Sequence, residues 1–191
     1  AEMRQFAVVN STAKSVNTAL VNYQLAQIQE TEGDEAIKES DKWKVIASKI
    51  LKNLNTNEKS VWHERILMPD QNKFSKAEIK EDPTKASKRI TTATSFIVSL
   101  RPVISYAEKR VLYGKTIDEK VNILTDIINA WWESLSRLMP EAFDDPSNHV
   151  IQKTAGIFSL HMLLKTKLEA ATVARLQIDS SDVYFSMLEG G

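Results

Sequence analysis

The residue types best suited to chemistry in this chain are the cations of one polar stretch. Lys73, Lys76, Lys80, Lys85, Lys88 and Arg89 stand there against Glu78, Glu81 and Asp82, and Thr91 and Thr92 follow. Lysines, hydroxyls and the free backbone N–H groups of a helix start all suit phosphate oxygens, so these residues are candidate DNA contacts. The competing reading is a solvated, mobile loop. Other reactive types are sparse or badly spaced. His149 and His161 do not have the i, i+4 spacing that puts two metal ligands on one helix face. His161 falls on an apolar helical stripe, where a hydrogen-bonded core histidine is expected. His63, between Trp62 and Glu64, is the one histidine for which a site role stays open. Glu30, Glu32, Asp34 and Glu35 read as a solvated face, and Asp144 and Asp145 as turn and cap residues. No catalytic residue, metal ligand or cofactor is expected.

Composition narrows the function classes further. The chain has no cysteine, which excludes disulfides, thiolate zinc sites and cysteine nucleophiles. Neither a G-x-G-x-x-G turn, a P-loop nor a G-x-S-x-G elbow occurs, and five glycines leave little backbone for cradling phosphate. A formal net charge of zero argues against a broadly basic nucleic-acid binder but permits a local basic patch. No apolar run approaches the roughly 20 residues that span a bilayer. The start Ala1-Glu2-Met3-Arg4-Gln5 lacks the basic-then-apolar order of a signal peptide. A cytoplasmic protein without membrane contact is the expectation.

With five prolines and five glycines in 191 residues, long helices are favoured over many short strands. Residues Ala1 to Val9 read as the end of a helix with no cap ahead of it, which points to missing upstream sequence. Asn10, Ser11 and Thr12 break it, and Ser15 caps a helix with Val16, Leu20 and Tyr23 on one face and Val21, Leu25 and Ile28 on another. Trp43, Ile46, Ala47, Ile50 and Leu54 mark the next helix, closed by Asn53 to Asn57. Val61 to Met68 alternates like a strand up to Pro69. Residues 70–88 read as one long surface loop. A helix begins at Thr91 or Thr92 and runs toward Pro102, with a break at Gly114. Thr116 and Glu119 form a capping box opening the clearest helix, which carries Val121, Leu124, Ile128, Trp131, Leu135 and Leu138. Trp131 and Trp132 both fit a core only if the buried stripe is wide; a base-stacking platform is the alternative. Another helix is expected from Asn148, with Val150, Thr154, Ile157, His161 and Leu164 inward and Gly156 allowing a close helix approach. A last one is expected from Ser181 to Leu188. The fold class is mainly α, a helical bundle-like single domain over residues 1–191, with one short strand or hairpin near residues 61–68.

The order of these segments resembles a known family. Phe6-Ala7-Val8-Val9-Asn10-Ser11-Thr12, with Lys14, Val16 and Leu20, is similar to the F-x-x-I-N-S-T-x-K stretch of DGQHR-domain proteins, which include the DndB-like, DNA-sulfur-modification-associated proteins of bacteria. Ser60 to Ile66 resembles that family's short strand, and Ile90 to Leu100 the helix after its variable loop. Trp131 to Pro140 and Lys153 to Ile157 resemble its closing helices. The D-G-Q-H-R signature itself does not occur; in the family it lies upstream of the Phe6 segment. The resemblance therefore implies the C-terminal portion of a larger protein, with an α+β arrangement open for the whole.

The resemblance implies a DNA-associated regulator in a bacterial phosphorothioation or phage-defence system, acting in transcriptional control. It makes the Asn10, Ser11, Thr12 and Lys14 turn a second candidate site. Its partners would be DNA, and further copies of itself or other modification-system proteins. One alternative is the closing half of a nucleotide-hydrolysing, ParB-like enzyme whose active site lies upstream. Another is a helical module that binds a protein partner through an apolar groove.

Overall fold

The computed structural model describes residues 18–190. The expectations for the first helix, the Ser15 cap and the Asn10, Ser11, Thr12 and Lys14 turn lie outside those residues. The described chain is mainly helical with one small parallel sheet, as the sequence indicates. Helix α1 (Thr18–Glu32) stops at Gly33, whose φ of 85° a side chain would disfavour. Helix α2 (Glu39–Thr56) follows, and it packs against α1 on one side. Its buried stripe is wider than the expected Ile46, Ala47, Ile50 and Leu54, because Val45 and Leu51 are buried as well. Trp43 is only half-buried.

Ahead of the sheet the chain departs from the expected strand. Ser60 accepts from the Trp62 N–H through its hydroxyl and from the His63 N–H through its carbonyl, which coils residues 60–65 into turns. Extended pairing is confined to β1 (Ile66–Leu67), parallel to β2 (Thr91–Thr92) in the register Ile66 to Thr91 and Leu67 to Thr92. Trp62 and Ile66 are the buried pair, four apart, so the period-two alternation misled. Between the strands the expected loop contains a short helix, α3 (Lys76–Glu81), and a 3₁₀ turn over Pro83–Ser87.

Thr92 caps α4 (Ala93–Ser99) by accepting from the Ser95 N–H. Pro102 then sits in the first turn of α5 (Arg101–Arg110), where a missing N–H breaks no helical bond. Helix α6 (Ile117–Leu138) opens on the expected Thr116–Glu119 capping box. Asp34 adds a second cap from far along the chain, its carboxylate accepting from the Ile117 N–H at 2.9 Å and from the Gln29 amide at 2.9 Å. Partial burial works to raise the Asp34 pKa, but those donors and Lys42 and Lys49 outweigh it and hold it low. After the short α7 (Pro140–Asp144), helix α8 spans Thr154–Val173 and α9 spans Ser181–Glu189.

Helix α8 starts later than the sequence indicates. Residues 148–153 turn, and Val150 is 66% exposed instead of buried. Gly156 does permit a close approach, but from its own preceding turn: a Cβ there would collide with the Val150 and Ile151 carbonyl oxygens. In α1 the buried positions are Ala19, Asn22, Ala26, Ile28 and Gln29, while Leu20 faces out at 40% exposure.

Both tryptophans of α6 are fully buried because the helix has neighbours on two sides. Trp131 meets Tyr184 of α9 edge-on at 5.7 Å, and Trp132 meets Trp62 at 4.7 Å. The Trp132 indole donates to His161 Nε2 at 3.0 Å. The imidazole proton therefore sits on Nδ1 and is donated to Ser99 Oγ at 2.8 Å, whose own proton goes to the Phe96 carbonyl at 2.7 Å. Burial drives the His161 pKa down from 6.5 to about 3.

This makes stability pH-dependent with a defined sign. The neutral imidazole's contribution is complete above pH 6.5 and is lost as the pH falls toward 3, because only the unfolded chain takes up the proton. The loss is at most about 1.4 kcal/mol per pH unit in that window. His161→Gln keeps one acceptor and one donor without the titration. Urea midpoints of wild type and H161Q should converge as the pH is lowered from 7 to 4.5; parallel curves would exclude His161 as the source.

Candidate nucleic-acid interface

The basic segment is held in place from beneath by one buried side chain. Asn55, in the last turn of α2, accepts from the Ile66 N–H through Oδ1 at 2.9 Å and from the Glu64 N–H through its carbonyl at 3.0 Å. Glu64 in turn accepts from the Arg89 N–H at 3.0 Å, and the Arg65 carbonyl accepts from the Ile90 N–H at 2.8 Å. Glu64 and Arg89 both adopt left-handed backbone, at φ 56° and 52°, so the chain turns sharply just before it enters each of the two strands. Residues 68–90 form a lobe tied at its base to the end of α2.

Inside the lobe, the acidic residues serve the backbone. Ser75 and Glu78 form a capping box at α3, and Asp82 accepts from the Thr84 N–H at the 3₁₀ turn. The Ser75 N–H lowers the Glu78 pKa, and the Thr84 hydroxyl lowers that of Asp82. The cations are arranged differently. The Arg89 guanidinium lies 4.1 Å from the centre of the Phe74 ring and donates to the Asn72 carbonyl at 2.7 Å. Lys85 Nζ is 5.3 Å from the same ring. Lys88 pairs with Glu64 at 2.6 Å, and that bond lowers the Glu64 pKa. Lys85, Lys88, Arg89, Phe74, Glu64 and Asn55 border a cleft of about 100 Å³.

The structure thus brings Lys85, Lys88 and Arg89 together, and leaves Lys73, Lys76 and Lys80 exposed on the same lobe. Among the described residues no carboxylate forms an ion pair with Lys73, Lys76, Lys80 or Lys85. Thr91 is not at this surface: it is 3% exposed, within β2. Thr92 is half-buried, with its hydroxyl engaged at the α4 cap. Sequence reasoning missed Phe74, Asn55 and Glu64. The Ser75-to-Glu78 spacing was the available signal that this stretch is more than a loop. His149 borders a shallow groove with Leu138, Met139 and Ile151. Among the described residues no three histidine or carboxylate side chains gather to hold a metal, and no helix is long and apolar enough to cross a membrane.

Replacing Asn55 tests how the lobe is anchored. Asn55→Ala leaves the buried Ile66 N–H without its partner, a loss of about 1–3 kcal/mol. The urea midpoint should fall accordingly; a midpoint within error of wild type would show that Asn55 does not hold the β1 turn.

In comparisons with known proteins, no family model, no curated protein and no solved structure matches the chain.

Proposed function

We propose that this chain is the DNA-contacting part of a regulatory protein, with the lobe of residues 73–89 resting on duplex phosphates. The observation that carries the reading is the pairing pattern of that lobe. It holds six cations against three carboxylates, and Glu78 and Asp82 are committed to capping backbone. Lys73, Lys76, Lys80 and Lys85 remain without ion pairs among the described residues. Arg89, stacked on Phe74 and bonded to Asn72, stiffens the surface from which they project. A rigid support reduces the entropy lost when lysines meet a phosphate row. The resemblance to DGQHR-domain proteins supplies the setting: transcriptional control in a bacterial phosphorothioation or phage-defence system.

The experiment is fluorescence anisotropy of a labelled DNA duplex over a salt series, with wild type and the Lys76→Ala/Lys80→Ala/Lys85→Ala triple variant. Among the described residues these lysines make no ion pair, and Lys85 gives up only its contact with the Phe74 ring, so the helical body should be unaffected. Binding should weaken at every salt concentration. The slope of log affinity against log salt should flatten by about 0.9 for each phosphate that the variant no longer neutralises. Equal affinity and equal slope for the two proteins would remove the lobe from the interface.

A further inference from the structure

Apart from one carboxylate, the polar side chains that border the cleft at the base of the lobe have only hydrogen-bond donors left to offer. Asn55 is 8% exposed, and the Ile66 N–H occupies its Oδ1. Its Nδ2 amide, without a partner among the described residues, is what this side chain has for the cleft it borders. Gln71 repeats the arrangement: its Oε1 accepts from the Met68 N–H at 3.3 Å, which leaves its amide N–H groups. Among the described residues Lys85 has no carboxylate partner, and Arg89 gives one nitrogen to the Asn72 carbonyl. Lys88 is the exception, because Glu64 on the same border holds its ammonium at 2.6 Å.

We infer that this cleft is a seat for one phosphate group, and that Glu64 occupies it in the free protein as an internal competitor. The chemistry of the border selects the guest. Lys85, Lys88 and Arg89 outnumber the single carboxylate, so a cation is disfavoured. Two amides and three cations converging on one space match the several oxygens of a phosphate. The Lys88 bond already holds the Glu64 carboxyl below the usual carboxylate range, and His63 and Arg89 add to it, so an anion in this place is stabilised.

Size limits what enters. The cleft measures about 100 Å³, far below the roughly 300–1,000 Å³ of pockets that enclose whole small molecules. One group fits, and the rest of its molecule stays outside. The incoming phosphate takes over the Lys88 ammonium, and the Glu64 carboxylate, already 51% exposed, swings into solvent. Glu64 therefore lowers affinity without closing the seat. This deepens the DNA reading, and it rests on that reading only for the source of the phosphate, a duplex backbone as against free phosphate.

The test compares wild type, Glu64→Gln and Glu81→Gln, with inorganic phosphate and with a labelled DNA duplex. Glu64 ties the lobe to Asn55 and Arg89 through its backbone N–H and carbonyl, so Glu64→Gln leaves those bonds in place. Glu81 is exposed, makes no ion pair among the described residues and does not border the cleft. Its replacement removes the same charge elsewhere on the lobe.

Phosphate, titrated at fixed ionic strength and followed by heteronuclear NMR, should shift the side-chain amides of Asn55 and Gln71. Glu64→Gln should bind it about fivefold more tightly than wild type, the scale of one surface ion pair, and Glu81→Gln should match wild type. No amide shift in Glu64→Gln would overturn the inference. So would equal phosphate affinity in Glu64→Gln and wild type, or an equal gain in Glu81→Gln. With the duplex, Glu64→Gln should bind more tightly, with a slope of log affinity against log salt steeper by about 0.9. A phosphate response without duplex binding would uphold the seat, assign it to free phosphate and remove the DNA reading. Duplex binding that weakens in the lysine triple variant, with no phosphate response, would overturn the seat and keep the DNA reading.

Discussion

The structure depends on a buried histidine whose two nitrogens are both satisfied. His161 accepts from Trp132 and donates to Ser99, joining α8, α6 and α4 through a single ring at 0% exposure. An unpaired imidazole in that position would cost about 1–3 kcal/mol. With every proton assigned, the same group selects one packing of three helices. The rings around it are set edge-to-face, Trp62 on Phe96 at 4.8 Å and Phe96 on His161 at 5.2 Å, so a change in one is passed to its neighbours. Trp62 carries this order outward. It is the large buried side chain of the 60–65 turn, and that turn leads into β1 and the base of the basic lobe.

A second polar centre does the same work at the other end of α6. Asp34 bonds the Ile117 N–H and the Gln29 amide, and Lys49 joins Gln29, Asp118 and Glu30. Helices α1, α2 and α6 thus meet over a polar seam. This explains why α1 buries Gln29.

Much of the fold was readable in the sequence wherever local chemistry and tertiary packing agree. The Thr116–Glu119 capping box, the helix start at Thr92, the α6 seam from Val121 to Leu135 and the break at Gly114 are local signals that appear in the structure, whereas Leu138, the expected end of the seam, is 38% exposed. The failures lie where packing overrides pattern. Val61 to Met68 alternates like a strand, yet the Ser60 hydroxyl and the Asn55 side chain offer its backbone other partners. The polar side of α1 is invisible to a search for apolar periodicity, since Asp34 and Lys49, the partners of Gln29, lie outside the helix. Residues 70–88 look structureless because their helices are short and carry no buried residue to set a period. At the candidate site the cations themselves were legible, because charge needs no fold to be seen. Their gathering around Phe74 was not, because it hangs on the left-handed turn at Arg89 and on bonds to Glu64 and Asn72.

The attachment of that lobe has an evolutionary consequence. Backbone bonds close its base at Glu64 to Arg89 and at Arg65 to Ile90, and the parallel pair Ile66–Thr91 and Leu67–Thr92 locks the closure. Everything between is supported from its two ends and contributes no fully buried residue to the core. Closing a longer loop across the same base adds only about 0.6 kcal/mol per doubling of length. Insertions and deletions in this crossover therefore leave the helical body unchanged. Its length is free to change while the scaffold beneath stays constant.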